Sequence, residues 1–315
     1  MRITNNTLSI IFILIGMSIF SIQDLLIRVI ASEISLFQIH FTRSAVGTIL
    51  LCLYLKFYKI PIVFKTSYPV LTTIRTTLFL FGFTLFYVAL ANLSFAITTA
   101  LFFTSPFFIT VLSRIFLKEK IGLYRWATVG FGFIGVIIIV NPSVDNINYY
   151  MLMPIICALC YSSSMIIIKL TSDKDSVYSQ TFHFYLTAII LCPIVALVGE
   201  IFNLNTINNR ALEFMFRPWN FSLNISLLFS LLIGVTAAVA FVLTISAYRL
   251  GKPFIVAPFE YILLVWAIIY GWLFWDEVVS LRGWIGIIMI VTGGIYIFYR
   301  EKINDQNLSI DKPLR

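Results

Sequence analysis

An all-α polytopic membrane protein, with ten transmembrane helices arranged as two inverted five-helix repeats, is the fold class this sequence predicts. Three observations predict it. The 315 residues are 60% hydrophobic and only 11% charged, with mean hydropathy +0.97, whereas soluble domains carry roughly 25% charge. Apolar runs of about 20 residues, enough to cross a bilayer, recur almost without interruption. A shift of 158 residues then lays one half of the chain on the other: the stretch from Phe116 to Trp126 falls on that from Phe274 to Trp284, Glu119 on Glu277, Gly135 on Gly293 and Ala89 on Ala247.

The spans read near 7–30, 35–55, 67–91, 94–116, 121–141, 149–169, 178–200, 222–248, 253–275 and 281–299. Nine spans result instead if 67–91 and 94–116 form one broken helix; Ala91-Asn92-Leu93-Ser94 favours a tight connection. The first run carries Asp24 and Arg28 and lacks a small-residue cleavage site, so it reads as a retained span, not a secretory signal. A duplicated unit with an odd number of spans must insert its two copies with opposite orientation, as in the inverted repeats of secondary transporters. The repeats are expected at 1–145 and 146–300, with a polar tail at 301–315.

Orientation follows from the basic residues, because cytoplasmic connections retain Lys and Arg. With both termini cytoplasmic, Lys56, Lys59, Lys118, Lys120, Arg249 and Lys252 all lie inside. The other side then carries Glu33, Asp145, Glu200, Glu213, Asp276 and Glu277. The long connection 201–221 is expected as an external surface loop. The net charge of +8 is thus spent on membrane orientation, and no basic patch with interleaved aromatics points to nucleic acid.

Ionisable residues at membrane depth are costly, about 2.5–3.5 kcal/mol each on insertion scales, and mark function by default. In span 1, Phe20, Gln23, Asp24 and Arg28 share one face, and Asp24 and Arg28 stand at i and i+4; they line a cavity or form an interfacial anchor. In span 2, His40, Arg43 and Gly47 share a face, with His40 a packing residue or a relay. Arg75, early in span 3, is expected to snorkel to the surface. Tyr87, Tyr161 and His183 are candidate cavity walls. Span 4 presents Thr99, Phe102, Pro106, Ile109 and Ser113 on one face, and span 9 presents Ala257, Glu260, Leu264, Ala267 and Gly271, with Tyr261 beside Glu260. Glu260 is the one acid deep in either of these related spans. Its alternative role is to tie helices together.

Glu119 and Glu277 read as end-of-span carboxylates beside the positive end of the following helix, with Gly122 or Ser280 as cap. Cys157-x-x-Cys160 has no second pair for a metal site, and all four cysteines read as packing residues. No phosphate-binding loop, zinc-protease pattern or nucleophile elbow is present, so neither an enzyme nor a cofactor is expected.

The stretches "SPFFITVLSRIFLKEK", "APFEYILLVWAIIYGWLFWDE" and the final "GGIYIFYRE" resemble the EamA branch of the drug/metabolite transporter superfamily over nearly the whole chain. Span 9 departs from the pattern, since Leu264 stands where Pro106 does and Pro258 where Ala100 does. The resemblance implies a secondary transporter of the bacterial inner membrane, with a central cavity between two five-helix halves. Its members move amino acids, nucleotides, riboflavin, S-adenosylmethionine and similar solutes. One acid with nearby arginines suits a small polar, zwitterionic metabolite, amino acid-like or nucleoside- or cofactor-like, with a coupling proton or an exchanged metabolite as partner. A membrane enzyme and a channel or structural membrane protein are the alternatives; saturable counterflow separates a carrier from both.

Overall fold

The computed structural model of the protein describes residues 5–61, 65–119, 122–140, 149–278, 280–289, 292–293 and 296; the expected tail at 301–315 lies outside them. Every regular element among the described residues is helical: α1 (Asn5–Ile30), α2 (Leu36–Phe57), α3 (Pro69–Asn92), α4 (Phe95–Phe102), α5 (Ser105–Phe116), α6 (Leu123–Val140), α7 (Leu152–Leu170), α8 (Val177–Ile201), α9 (Arg210–Phe216), α10 (Ile225–Leu250), α11 (Pro253–Val256) and α12 (Ile262–Trp275), with short 3₁₀ turns between some of them. Residues 281–289 are also helical. Eight spans, counting Phe95–Phe116 and Pro253–Trp275 as one each, are long and apolar enough to cross a membrane.

The helix starts follow local chemistry. Ser35, Ser94 and Ser176 each accept a hydrogen bond from the backbone N–H three residues on, which satisfies a donor the helix itself cannot. The Ser94 cap produces the tight α3–α4 connection that the sequence suggests.

Helix faces are sorted for a bilayer. Ile49, Leu53, Leu197 and Leu231 point outward, while Asp24, Arg43, Arg75 and Glu260 are buried. This inversion is what lipid as solvent requires. α1 packs along α10, α3 along α7, and α2 against both α8 and α10. Close crossings need small residues: a Cβ added at Gly47 would stand 2.6 Å from Cζ of Tyr185 on α8.

Two spans are broken within their length. α4 gives way to α5 at Phe103-Thr104, and α11 to α12 through the 3₁₀ turn Ala257–Tyr261. Pro106 sits just inside α5 and Pro258 in the 3₁₀ turn itself; each lacks an N–H and its ring crowds the preceding turn, so a continuous α-ladder cannot form there. The backbone repeats at the 158-residue spacing elsewhere. α3 and α10 end with Leu93 N–H on Ala89 O and Gly251 N–H on Ala247 O. Lys118 and Asp276 both adopt φ near +50° (53° and 51°), followed by Glu119 N–H on Ser113 O and Glu277 N–H on Gly271 O.

The connection at 201–221 is more than a surface loop. It forms α9, buries Ala211 and Phe214, and exchanges two hydrogen bonds with Gln38 through Asn220. Trp219 packs on Phe41, so the segment caps the start of α2.

Candidate functional site

The breaks in the two discontinuous spans flank the centre of the bundle. Glu260 lies within the α11–α12 break and is fully buried, 0% exposed. Tyr248 on α10 donates its hydroxyl to Glu260 Oε1 at 2.5 Å, and Tyr161 on α7 donates to the same oxygen. Glu260 Oε2 is buried with no hydrogen-bond partner. Two neutral donors on one oxygen, with the other oxygen open, leave the carboxyl able to take a proton or a cationic group.

A second polar cluster is built from the first three helices. Gln23 Nε2 donates to the Tyr87 hydroxyl at 2.9 Å, and that hydroxyl donates to Asp24 Oδ1 at 3.0 Å. The His40 ring lies 5.7 Å from that of Tyr87, and both of its nitrogens are buried without a partner. Arg43 is 3% exposed, makes no hydrogen bond through Nε, and sits with its guanidinium 5.7 Å from the centre of the Phe241 ring. Its charge acts on Asp24 and Tyr87.

Aromatic rings separate the two clusters. Phe83 lies 6.0 Å from Tyr87 on one side and 6.0 Å from Tyr161 on the other. Phe79 stacks on Phe83 at 4.5 Å and approaches Phe241 at 5.3 Å. Phe20, Asp24, Phe102, Tyr161 and Phe241 are among the side chains facing the central cavity. Its free volume is only ≈ 20 Å³, about one water-sized sphere. The conformation is closed around its centre, and any metabolite must displace rings to enter.

The sequence-derived candidates divide accordingly. Asp24, Phe102 and Tyr161 face the cavity; Gln23 and Tyr87 join it through Asp24, and Glu260 through Tyr161. His40 and Arg43 lie beside the Asp24 cluster. Arg28 lies elsewhere, at the far end of α1, in an ion pair with Glu277 at 2.7 Å and 4.1 Å from the centre of the Trp275 ring. His183 turns its Nδ1 to Ser179 O of its own helix, 2.7 Å away. Tyr261 packs its ring on Phe103 at 5.0 Å and is not among the cavity side chains. Arg75 does not snorkel: it is 0% exposed, donates to Gln180 O at 3.1 Å and stacks on Phe184 at 4.3 Å. Tyr248, Phe79, Phe83 and Phe241 were not singled out by sequence, although Tyr248 stands twelve residues before Glu260.

A family model described as the EamA-like transporter family matches residues 7–141 and again 148–299. The chain belongs to that family. It is similar to an S-adenosylmethionine uptake transporter of Rickettsia bellii, 25% identical over 283 residues covering 90% of each chain. A riboflavin transporter of Rhizobium johnstonii is 30% identical over 238 residues, covering 75% of this chain and 72% of that one. A pseudopaline exporter of Pseudomonas aeruginosa is 24% identical over 285 residues, covering 90% and 93%. One solved crystal structure shares the fold with TM-score 0.70 at 14% identity, covering 91% of this chain and 94% of the other. This EamA-family protein is therefore a multi-pass membrane transporter of small metabolites, not an enzyme. The buried acids of its centre are read in that light.

Proposed function

We propose that the protein carries a small polar, zwitterionic metabolite across the bacterial inner membrane by alternating access between two inverted five-helix repeats. The observation that carries this reading is the pairing of two buried acids, Asp24 and Glu260, with an arginine that has no hydrogen bond through Nε, Arg43, around a ring-lined centre flanked by two broken helices. Broken helices at corresponding places in the two halves of a transporter are where substrate sites form. A substrate carboxylate suits Arg43, whose planar fork can grip both oxygens. A cationic group suits Asp24 or Glu260. The rings of Phe79, Phe83 and Phe241 favour the nucleoside- or cofactor-like end of the range, since a flat ring stacks on them and a cation gains from their faces. The relatives named for S-adenosylmethionine and riboflavin fit that end.

The ten-span layout, with 1–145 and 146–300 as the repeats and both termini cytoplasmic, is supported by the recurring helix ends 158 residues apart and by the Lys/Arg asymmetry. A single-cysteine variant labelled in 201–221 from outside intact cells tests the orientation; labelling only after the inner face is exposed overturns it.

Function is tested with purified protein. Adenosyl amino acids, flavins and plain amino acids are screened by thermal shift, where a ligand stabilises by its mass-action term. Hits are then followed in proteoliposomes. Saturable uptake with counterflow supports a carrier; a hit that is chemically converted, or flux that never saturates, overturns it.

A further inference from the structure

The connection at 201–221 also closes one side of a cavity of ≈ 330 Å³ at the end of α8, far larger than the ≈ 20 Å³ at the centre of the bundle. Pro193, Leu197 and Glu200 of α8 line it from one side, and Asn205, Arg217 and Trp219 of the connection from the other. α8 is one of the spans long and apolar enough to cross a membrane, and it ends at Ile201. The cavity therefore stands where hydrocarbon gives way to headgroups, the level that tryptophan and arginine side chains favour.

Its polar lining has bonding capacity to spare. Among the described residues, the exposed Glu200 carboxylate and the Asn205 side-chain amide meet no hydrogen-bond or ionic partner. Arg217 donates to Ala31 O at 3.1 Å and to Glu213 Oε1 at 3.0 Å, which leaves further N–H groups of its five-donor fork free. One wall thus offers an acid and the other a base.

An apolar stripe leads away from the cavity along α8. Ile190, Ile194, Leu197 and Ile201 follow one another at intervals of four, three and four residues, which is one helix face, and each is at least 50% exposed. Leu197 belongs both to the stripe and to the cavity wall. A ligand that uses the whole surface needs a head with one negative and one positive group, joined to long apolar chains. A phospholipid has that form. Its phosphate suits the Arg217 fork, and a primary ammonium can donate to Glu200, whereas a choline head has no N–H to give and a glycerol head has no cation.

We propose that this cavity is a lipid site, which seats the phosphoethanolamine head of a bilayer phospholipid with its phosphate on Arg217, its ammonium on Glu200 and its acyl chains along α8. The site lies apart from the central cavity, and it stands or falls independently of the carrier reading above. Its occupancy reaches the centre through the connection. Asn220 and Trp219 hold Gln38 and Phe41 at the start of α2, and Met215 O accepts the hydroxyl of the α2 cap Ser35 at 3.2 Å. The same helix carries His40 and Arg43 to the Asp24 cluster, so a seated lipid steadies the helix that bears Arg43.

Native mass spectrometry of the full-length protein, released from nanodiscs with equal shares of ethanolamine, choline and glycerol phospholipids, tests the proposal. One ethanolamine lipid should be retained about tenfold over the choline lipid, the factor that 1.4 kcal/mol gives. Glu200→Gln should bring the two to the same level while the melting temperature in lipid-free detergent stays at the parent value. If that variant does not fold, Ala196→Phe, which fills the cavity, should exclude all three lipids. Hydrogen exchange, which reports local opening, should be slower at 203–220 and 36–41 in ethanolamine-containing discs than in discs without that lipid, and the difference should vanish in Glu200→Gln. Equal retention of the three lipids would leave only a general lipid shell and overturn the site, as would an ethanolamine preference that survives Glu200→Gln. Strongest retention of the glycerol lipid would make it a plain anion site. Equal protection by soluble glycerophosphoethanolamine would assign it to a free metabolite, and self-association that slows exchange at 190–201 without any lipid would assign it to a second copy of the chain; each of these also overturns the proposal.

Discussion

Tyr248 and Tyr161 both donate to the same oxygen of Glu260, Oε1, from helices α10 and α7 that approach the broken α11–α12 span from different sides. A shared acceptor makes the two donors interchangeable in part. Hydrogen bonds to a charged group contribute about 1.5–3 kcal/mol each when buried, but the loss of one leaves the other in place. Tyr161→Phe and Tyr248→Phe are each expected to reduce uptake less than tenfold, while the double variant loses far more than the product of the two. A double-mutant cycle on uptake rates measures the coupling, on the order of 1–2 kcal/mol; strictly additive effects would mean that the hydroxyls act on something other than Glu260.

Glu260→Gln keeps the shape and removes the acid. If Glu260 exchanges a proton, net uptake driven by a pH gradient is lost while counterflow survives; if it pairs with a substrate cation, both fall. Wild-type rates in both assays, from a folded Glu260→Gln protein, would reduce the carboxyl to a packing element.

How much of this was legible in the sequence depends on the kind of contact. Glu260 stood out because it is the acid in the middle of an apolar run, and its face, Ala257 to Gly271, is buried as the spacing implies. Its tyrosine donors did not stand out, because thirty Phe and fifteen Tyr make any one ring uninformative until the helices are placed. Glu277 was expected to serve the N-terminus of the following helix. The carboxylate instead reaches the N-terminus of α4 and Arg28, a contact across the repeat that no local spacing encodes. His183 sits on a helix whose apolar residues do not mark a single face, so its turn toward Ser179 O could not be read from period alone.

Arg43 is expected to govern substrate affinity. Its guanidinium is buried beside Phe241 and makes no hydrogen bond through Nε, a costly state for a side chain with five donors. Arg43→Ala should raise KM for a carboxylate-bearing substrate at least tenfold, at unchanged membrane abundance. Arg43→Lys should recover little, since a point charge cannot supply a planar two-pronged contact. Full recovery by lysine would assign Arg43 a purely electrostatic role toward Asp24.

Arg75 is expected to matter for stability and not for recognition. It joins α3 to α8 through Gln180 O and the Phe184 ring, and Gln180 in turn accepts from Arg249 at 3.0 Å. Truncation would open a void and remove a buried hydrogen bond together, for a cost of about 2–4 kcal/mol. Arg75→Ala should therefore melt markedly earlier in detergent, with KM for substrate near wild type in the protein that survives. A changed KM at unchanged stability would move Arg75 into the site.

Pro258 is expected to set the trade between stability and turnover. It lies in the 3₁₀ turn that separates α11 from α12, two residues before Glu260, and without its ring the span could close into a continuous helix. A proline in a helix interior costs about 3 kcal/mol, so Pro258→Ala should hold or raise the melting temperature. The same change would return the backbone at Ala257–Tyr261 to α-helical spacing and rotate the Glu260 carboxyl away from Tyr161 and Tyr248, which meet it only in the present turn. Uptake should then fall by tenfold or more even though the protein is no less stable. Pro106→Ala makes the comparison, because the α4–α5 break carries no acid and places Phe102 at the equivalent position; its stability should respond in the same direction and its uptake less. Equal losses from both substitutions would show that the breaks serve as hinges alone. A loss confined to Pro258→Ala would tie the break to the placement of Glu260.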